Sequence, residues 1–168
     1  MAAYLIGVPL MAFLAILQSS VLGTLRVLDG SPDLVLIAVV SWSLTGRMHE
    51  SMILALVGGL FLDLLSGAPF GMTAIGLVLV AYLVSFLEGR FWEANFLIPL
   101  GVMSAAAVIY HSVVVLAAAV SGRPIDLALA FSRVFLPSAL FDVLLALPAA
   151  QFAVRARDAL FPPRVKVG

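Results

Sequence analysis

The chain has 168 residues, of which 64% are hydrophobic and 11% are charged. Soluble domains carry roughly a quarter charged residues, so this apolar surface exceeds what one small globule can bury, and the composition predicts a membrane-embedded protein. Nine basic residues balance nine acidic ones, which gives no basic excess of the kind that binds nucleic acid. There is no cysteine, which excludes disulfides and thiolate metal sites.

Apolar segments follow one another along the chain, separated by short polar breaks. A helix needs about 20 apolar residues to cross the hydrocarbon core. The first segment has no basic residue before Arg26, which favours a retained span over a cleaved signal peptide. The sequence predicts one all-α domain of six transmembrane helices, over residues 2–25, 31–46, 51–65, 72–87, 96–120 and 127–154, followed by a short basic tail over residues 155–168.

The second segment begins with residues that favour a helix N-terminus. Ser31 suits the cap, Pro32 the first helical position and Asp33 the positive end of the helix dipole. Its helix is expected to hold about 13 residues, too few to cross a bilayer alone. We therefore expect neighbouring helices to shield it.

The third segment is also predicted to be short, and it carries three small residues. Ala55, Gly58 and Gly59 allow another helix to approach closely. Two short helices would leave a thin place in the bundle, which a single-span partner could cover. The small residues, with Trp42 nearby, indicate either a groove for that partner, without a small-molecule substrate, or packing among the bundle's own helices.

The positions of Lys and Arg predict the orientation. A cytoplasmic N-terminus places six basic residues inside and two outside, and the reverse orientation inverts that ratio. The inside set is Arg47, Arg90, Arg155, Arg157, Arg164 and Lys166, and the outside set is Arg26 and Arg123. The sequence therefore predicts a six-span membrane protein with both termini in the cytoplasm.

Ionisable residues inside the predicted spans need partners, because each costs about 2.5 to 3.5 kcal/mol on insertion scales. Asp63 lies near the outer end of the third helix, where the helix dipole is negative. Its expected partners are Arg133, at a similar depth in the sixth helix, or backbone N–H groups of the following turn and the fourth helix. Arg133 could equally extend its side chain outward to the interface.

Asp142 and His111 form a second candidate pair. Asp142 lies nine residues beyond Arg133, on the opposite side of the sixth helix at 100° per residue. His111 lies midway along the fifth helix and could be the partner of Asp142. A structural hydrogen bond is the favoured role of His111, and a proton relay is the alternative.

The motifs of common membrane and soluble enzymes are missing. The sequence has no His-Glu-x-x-His, Gly-x-Ser-x-Gly or Gly-x-Gly-Asp pattern. With two histidines, His49 and His111, metal ligation is poorly supplied. The sequence therefore predicts no enzyme activity, no cofactor and no metal site.

Residues 32–81 resemble the rod shape-determining protein MreD family. The matching features are the Pro32-Asp33 helix start, the polar break over residues 46–50, and the pattern around Asp63, Gly67 and Gly71. A length near 170, six spans, a short basic tail and Pro148 late in the last span also fit.

This resemblance implies a non-enzymatic scaffold of the bacterial elongation machinery. Such proteins bind the single-span protein MreC and, through it, MreB filaments, RodA and its penicillin-binding transpeptidase. The sequence leaves open whether a homodimer forms and whether membrane lipid occupies a groove.

The family also looks similar in fold to the substrate-binding subunits of energy-coupling factor vitamin transporters. That likeness gives the alternative function, a vitamin-binding subunit. The strict Ala-x-x-x-Ala docking motif of those subunits is absent from the first helix, where Ala3 with Gly7 and Ala15 with Ser19 are the nearest equivalents.

Overall fold

The computed structural model describes residues 2–22, 31–66, 70–86, 97–120 and 136–161. These residues form six α-helices and no strand, which confirms the all-α prediction. The helices are α1 (Ala2–Leu17, continued by a π-helical turn over Gln18–Leu22), α2 (Leu34–Ser43), α3 (Met48–Ser66), α4 (Met72–Phe86), α5 (Leu97–Val120) and α6 (Leu136–Leu160).

The helices differ in their capacity to cross a membrane. Within the described residues, α3, α5 and α6 are long and apolar enough to do so. The apolar helices α1, α2 and α4 are shorter than the usual span. Six apolar helices are therefore present, while three of them meet the length of a full crossing.

The prediction of a short third helix is wrong. α3 has 19 residues and begins at Met48, because the polar break before it folds into its first turn. Arg47 donates two hydrogen bonds to the Glu50 carboxylate, at 2.7 and 2.6 Å, and the Ser51 hydroxyl donates to the Arg47 carbonyl at 2.9 Å. The first turn is thereby fastened by its own side chains.

α6 also extends beyond its predicted end at Val154. It continues to Leu160, because the residues from Arg155 onward favour helix and no proline follows before Pro162. The Arg47 guanidinium carbon lies 3.3 Å from the centre of the Phe161 ring, a cation–π contact that joins this end of α6 to the start of α3. The rest of the predicted tail lies outside the described residues.

α2 lies at the centre of the bundle, in contact with each of the other five helices. Val35, Leu36 and Val39 are fully buried, and the Ser43 hydroxyl donates to the Val39 carbonyl at 2.8 Å. Surrounding helices thus take the place of lipid around a helix of ten residues. This confirms the expectation that neighbours shield the second helix.

The small residues of α3 serve packing within the bundle. A Cβ on Gly59 would lie 2.3 Å from the Cα of Ala74 in α4, and one on Gly58 would lie 2.7 Å from Cγ1 of Val35 in α2. Ala55 is fully buried. The sequence left open whether these small residues form a groove for a partner or pack against the bundle's own helices. The structure shows that they pack against α2 and α4.

Candidate functional site

Asp63 is held by the start of α4. Its carboxylate accepts the backbone N–H groups of Gly71, Thr73 and Ala74 at 2.9, 3.1 and 3.3 Å. These donors have no partner inside the first turn of a helix, where the dipole also favours an anion. Backbone N–H groups therefore satisfy Asp63, and they are one of the two sets of partners that the sequence predicted. The other predicted partner, Arg133, lies outside the described residues, as does Gly67.

Gly71 supplies the turn that makes this cap possible. Its φ is +91°, a conformation that side chains other than glycine's rarely adopt. The turn directs the N–H of Gly71 back to Asp63. The glycine singled out by the sequence pattern thus has a conformational reason for its identity.

Four polar side chains from four helices lie together at a second site. This site is named here the polar cluster, and it consists of Gln18, Asp33, His111 and Asp142. Nε2 of His111 lies 3.3 Å from Oδ2 of Asp33, and the Asp33 N–H donates to Oδ1 of Asp142 at 2.7 Å. The Gln18 amide donates to Oδ1 of Asp33 and accepts the Val35 N–H at 3.1 Å. These contacts tie the end of α1, the start of α2, α5 and α6 together.

The predicted pair of His111 and Asp142 is part of this cluster, but Asp33 is the residue between them. Sequence reasoning gave Asp33 only the role of a charge at a helix N-terminus, and it did not single out Gln18. The signal that could have found Asp33 is its position: a carboxylate at the start of a helix that neighbours enclose also needs a partner.

Asp142 is completely buried, and its two oxygens differ. Oδ1 accepts the Asp33 N–H, whereas Oδ2 has no hydrogen-bond partner among the described residues. Each of Asp33, His111 and Asp142 offers one ligand atom, and these three atoms lie within 4.8 Å of one another. The polar cluster therefore places three electron-pair donors close together.

An apolar groove of about 640 Å³ has Leu34, the residue that follows Asp33, in its lining and is named here the α1–α6 groove. α1 and α6 form its walls, and the more buried side chains of α2 form its floor. The lining includes Ile6, Leu10, Ala38, Trp42, Ala149, Phe152 and Ala156. Its polar lining groups are the hydroxyl of Ser41 and the indole of Trp42. The indole N–H is buried and has no acceptor among the described residues.

One comparison with known proteins identifies a family. The family model of the rod shape-determining protein MreD matches residues 2–153, nearly the whole chain. No curated protein and no solved structure matches the chain.

Proposed function

The chain belongs to the MreD family of rod shape-determining proteins, and on that premise we propose that it is a non-enzymatic scaffold of the bacterial inner membrane. It acts by binding a single-span, MreC-like protein in the α1–α6 groove. The observation that carries this proposal is the groove itself, an open apolar surface lined mainly by α1, α2 and α6.

The lining of the groove suits a helix better than a small polar molecule. Binding sites for small molecules use several convergent polar groups to fix orientation, and here the polar lining consists of one hydroxyl and one indole. Exposed apolar side chains, such as Phe152 at 69% and Ile6 at 56%, offer contact area without a charge to desolvate. An apolar transmembrane helix matches that chemistry.

Small residues on the groove wall add to this argument. Ala149 and Ala153 stand four residues apart on α6, with Ala156 a further turn along. Helices associate in lipid by close packing, and small residues at this spacing let two backbones approach.

The polar cluster supports a structural role in this scaffold. Its hydrogen bonds run between helices: Gln18 of α1 bonds the start of α2, and the backbone of Asp33 bonds Asp142 of α6. Such bonds set the positions of the groove's walls and floor. Through its single-span partner, the protein would connect with MreB filaments and with RodA and its penicillin-binding transpeptidase in peptidoglycan synthesis.

Photo-crosslinking at two matched phenylalanines tests the partner. Phe152 lies in the groove and Phe13 lies outside its lining, and both are well exposed, at 69% and 60%. With benzoylphenylalanine at either position in rod-shaped cells, we expect position 152 to crosslink to an MreC-like protein at least tenfold more efficiently than position 13. Mass spectrometry of the crosslinked band identifies the partner.

Each other product of this experiment contradicts the proposal in a distinct way. Crosslinks from position 152 to a transporter's ATPase-coupled membrane subunit would favour the vitamin-transport alternative. Crosslinks to a second copy would make the groove a homodimer interface. Crosslinks to lipid alone, while the partner still co-purifies, would place the interface elsewhere.

A further inference from the structure

The polar cluster holds three side chains that can donate electron pairs to one point. Asp33 comes from the start of α2, His111 from α5 and Asp142 from α6, and one ligand atom from each lies within 4.8 Å of the others. The three residues are brought together from widely separated parts of the sequence. Their convergence is thus a product of the tertiary fold and not of one helix terminus.

The hydrogen bond at one nitrogen of His111 determines what the other can do. Nδ1 lies 2.9 Å from the Ala107 carbonyl, and because a carbonyl only accepts, Nδ1 carries the proton. In the neutral imidazole, Nε2 then directs a lone pair at Oδ2 of Asp33, 3.3 Å away. Histidines that bind metals have this arrangement, with the other ring N–H donated to a backbone carbonyl or a carboxylate.

Asp142 supplies an independent observation that points to a cation. It is completely buried, yet its Oδ2 has no hydrogen-bond partner among the described residues. A buried carboxylate oxygen without a partner is strongly unfavourable. A cation bound between the three side chains would remove that penalty.

Charge and geometry both fit a divalent ion. One proton on His111 neutralises only one of the two carboxylates, whereas a divalent ion with a neutral imidazole balances both. The 3.3 Å between Nε2 of His111 and Oδ2 of Asp33 equals the edge of a tetrahedron with metal–ligand bonds of about 2.0 to 2.1 Å. The ligand atom of Asp142 lies within 4.8 Å of both and would move toward the ion on binding. We propose that Asp33, His111 and Asp142 bind a divalent metal ion, and that Zn²⁺ fits the site.

Surrounding groups hold the ligands in place for this ion. The Gln18 amide donates to the second oxygen of Asp33, and the Ala107 carbonyl orients the imidazole. Leu34 and Leu145, close in sequence to Asp33 and Asp142, line the α1–α6 groove. The metal would therefore fasten α2, α5 and α6 at one end of that groove.

Metal analysis of the full-length protein tests this site, with His49 as the matched control. His49 is exposed in the first turn of α3, and it is the only other histidine of the chain. Protein purified in detergent without a histidine tag is equilibrated with Zn²⁺ and passed through a desalting column. We expect about one Zn²⁺ per chain in the original protein and in His49→Gln, and less than a tenth of that in His111→Gln and Asp142→Asn.

Thermal unfolding provides a second readout that does not depend on the variants. Saturating Zn²⁺ is expected to raise the Tm of the original protein by about 5 to 10 °C, with EDTA reversing the rise. Equal retention of Zn²⁺ by all four proteins would place the ion at an adventitious surface site and overturn the proposal. The proposal would also be overturned if the protein binds no Zn²⁺ and its Tm changes only with pH. The polar cluster would then bind protons and not a metal ion.

Discussion

Two buried carboxylates in this molecule are treated in opposite ways. Asp63 accepts three backbone N–H groups from residues 8 to 11 positions further along the chain. Asp142 accepts one N–H, from a residue 109 positions away, and its second oxygen has no partner among the described residues. The first carboxylate is satisfied by a single turn, and the second depends on several helices.

The difference separates a structural carboxylate from one available to a ligand. The first turn of α4 offers several donors that no carbonyl of its own helix can reach, so Asp63 has little capacity left to bind anything else. The polar cluster joins more acceptors than donors and therefore retains binding capacity. Substitutions at the two places should accordingly differ in what they change.

The largest expected effect concerns the contact that brings α4 to Asp63. In Gly59→Ala, the new Cβ would lie 2.3 Å from the Cα of Ala74, and the backbone of α4 has to move away. We expect a loss of about 3 kcal/mol in the free energy of unfolding, measured by unfolding in mixed detergent micelles. Gly101→Ala is the control, because a Cβ there meets nothing within 4 Å; similar losses in both variants would show that the α3–α4 contact is not close.

The same chemical change at the two carboxylates tests the comparison directly. In Asp63→Asn, one N–H of the α4 cap faces an amide NH₂, and the charge at the helix N-terminus is lost, so we expect about 2 kcal/mol of destabilisation. In Asp142→Asn without metal, the amide oxygen still accepts the Asp33 N–H and the NH₂ can donate to the Asp33 carboxylate. Because this substitution removes a buried charge and replaces the unpartnered oxygen by a donor, we expect no loss in the free energy of unfolding and a gain of up to about 1 kcal/mol.

Both variants are to be unfolded in EDTA, so that metal binding does not contribute. Equal destabilisation by the two substitutions would remove the distinction between the two carboxylates. A larger loss in Asp142→Asn would reverse it.

The smallest expected loss of stability concerns the turn between α3 and α4. Gly71→Ala places a side chain at a φ of +91°, which costs about 1 kcal/mol through backbone strain. No atom within 4 Å would clash with the new Cβ, so the loss reports conformation alone. Unfolding midpoints of Gly71→Ala and Gly101→Ala check this: identical midpoints would mean that the turn relaxes and that Asp63 does not need its geometry.

The sequence by itself determined the fold class and the order of the helices, and it named the turn and the start of α4 as one of two possible partner sets for Asp63. Composition requires burial in an apolar medium, and helices satisfy every backbone group within one segment. The contact of Asp63 with Gly71 and the start of α4 could be predicted from the sequence, because all its members lie within 12 residues. The predicted helix bounds were wrong at Met48, where the Arg47–Glu50 pair fastens an earlier first turn, and beyond Val154, where helix-favouring residues continue to Leu160.

Only the tertiary structure decided where Asp33 binds, how the small residues of α3 are used and which helices border the groove. Asp33 meets His111 and Asp142 across separations of 78 and 109 positions, and no periodicity in one helix encodes a contact between two others. Gly58 and Gly59 would allow close approach of any helix. In the structure, Gly58 lies against α2 and Gly59 lies against α4. Side-chain patterns specify which face of a helix is buried, whereas the identity of the neighbour depends on the simultaneous packing of all six helices.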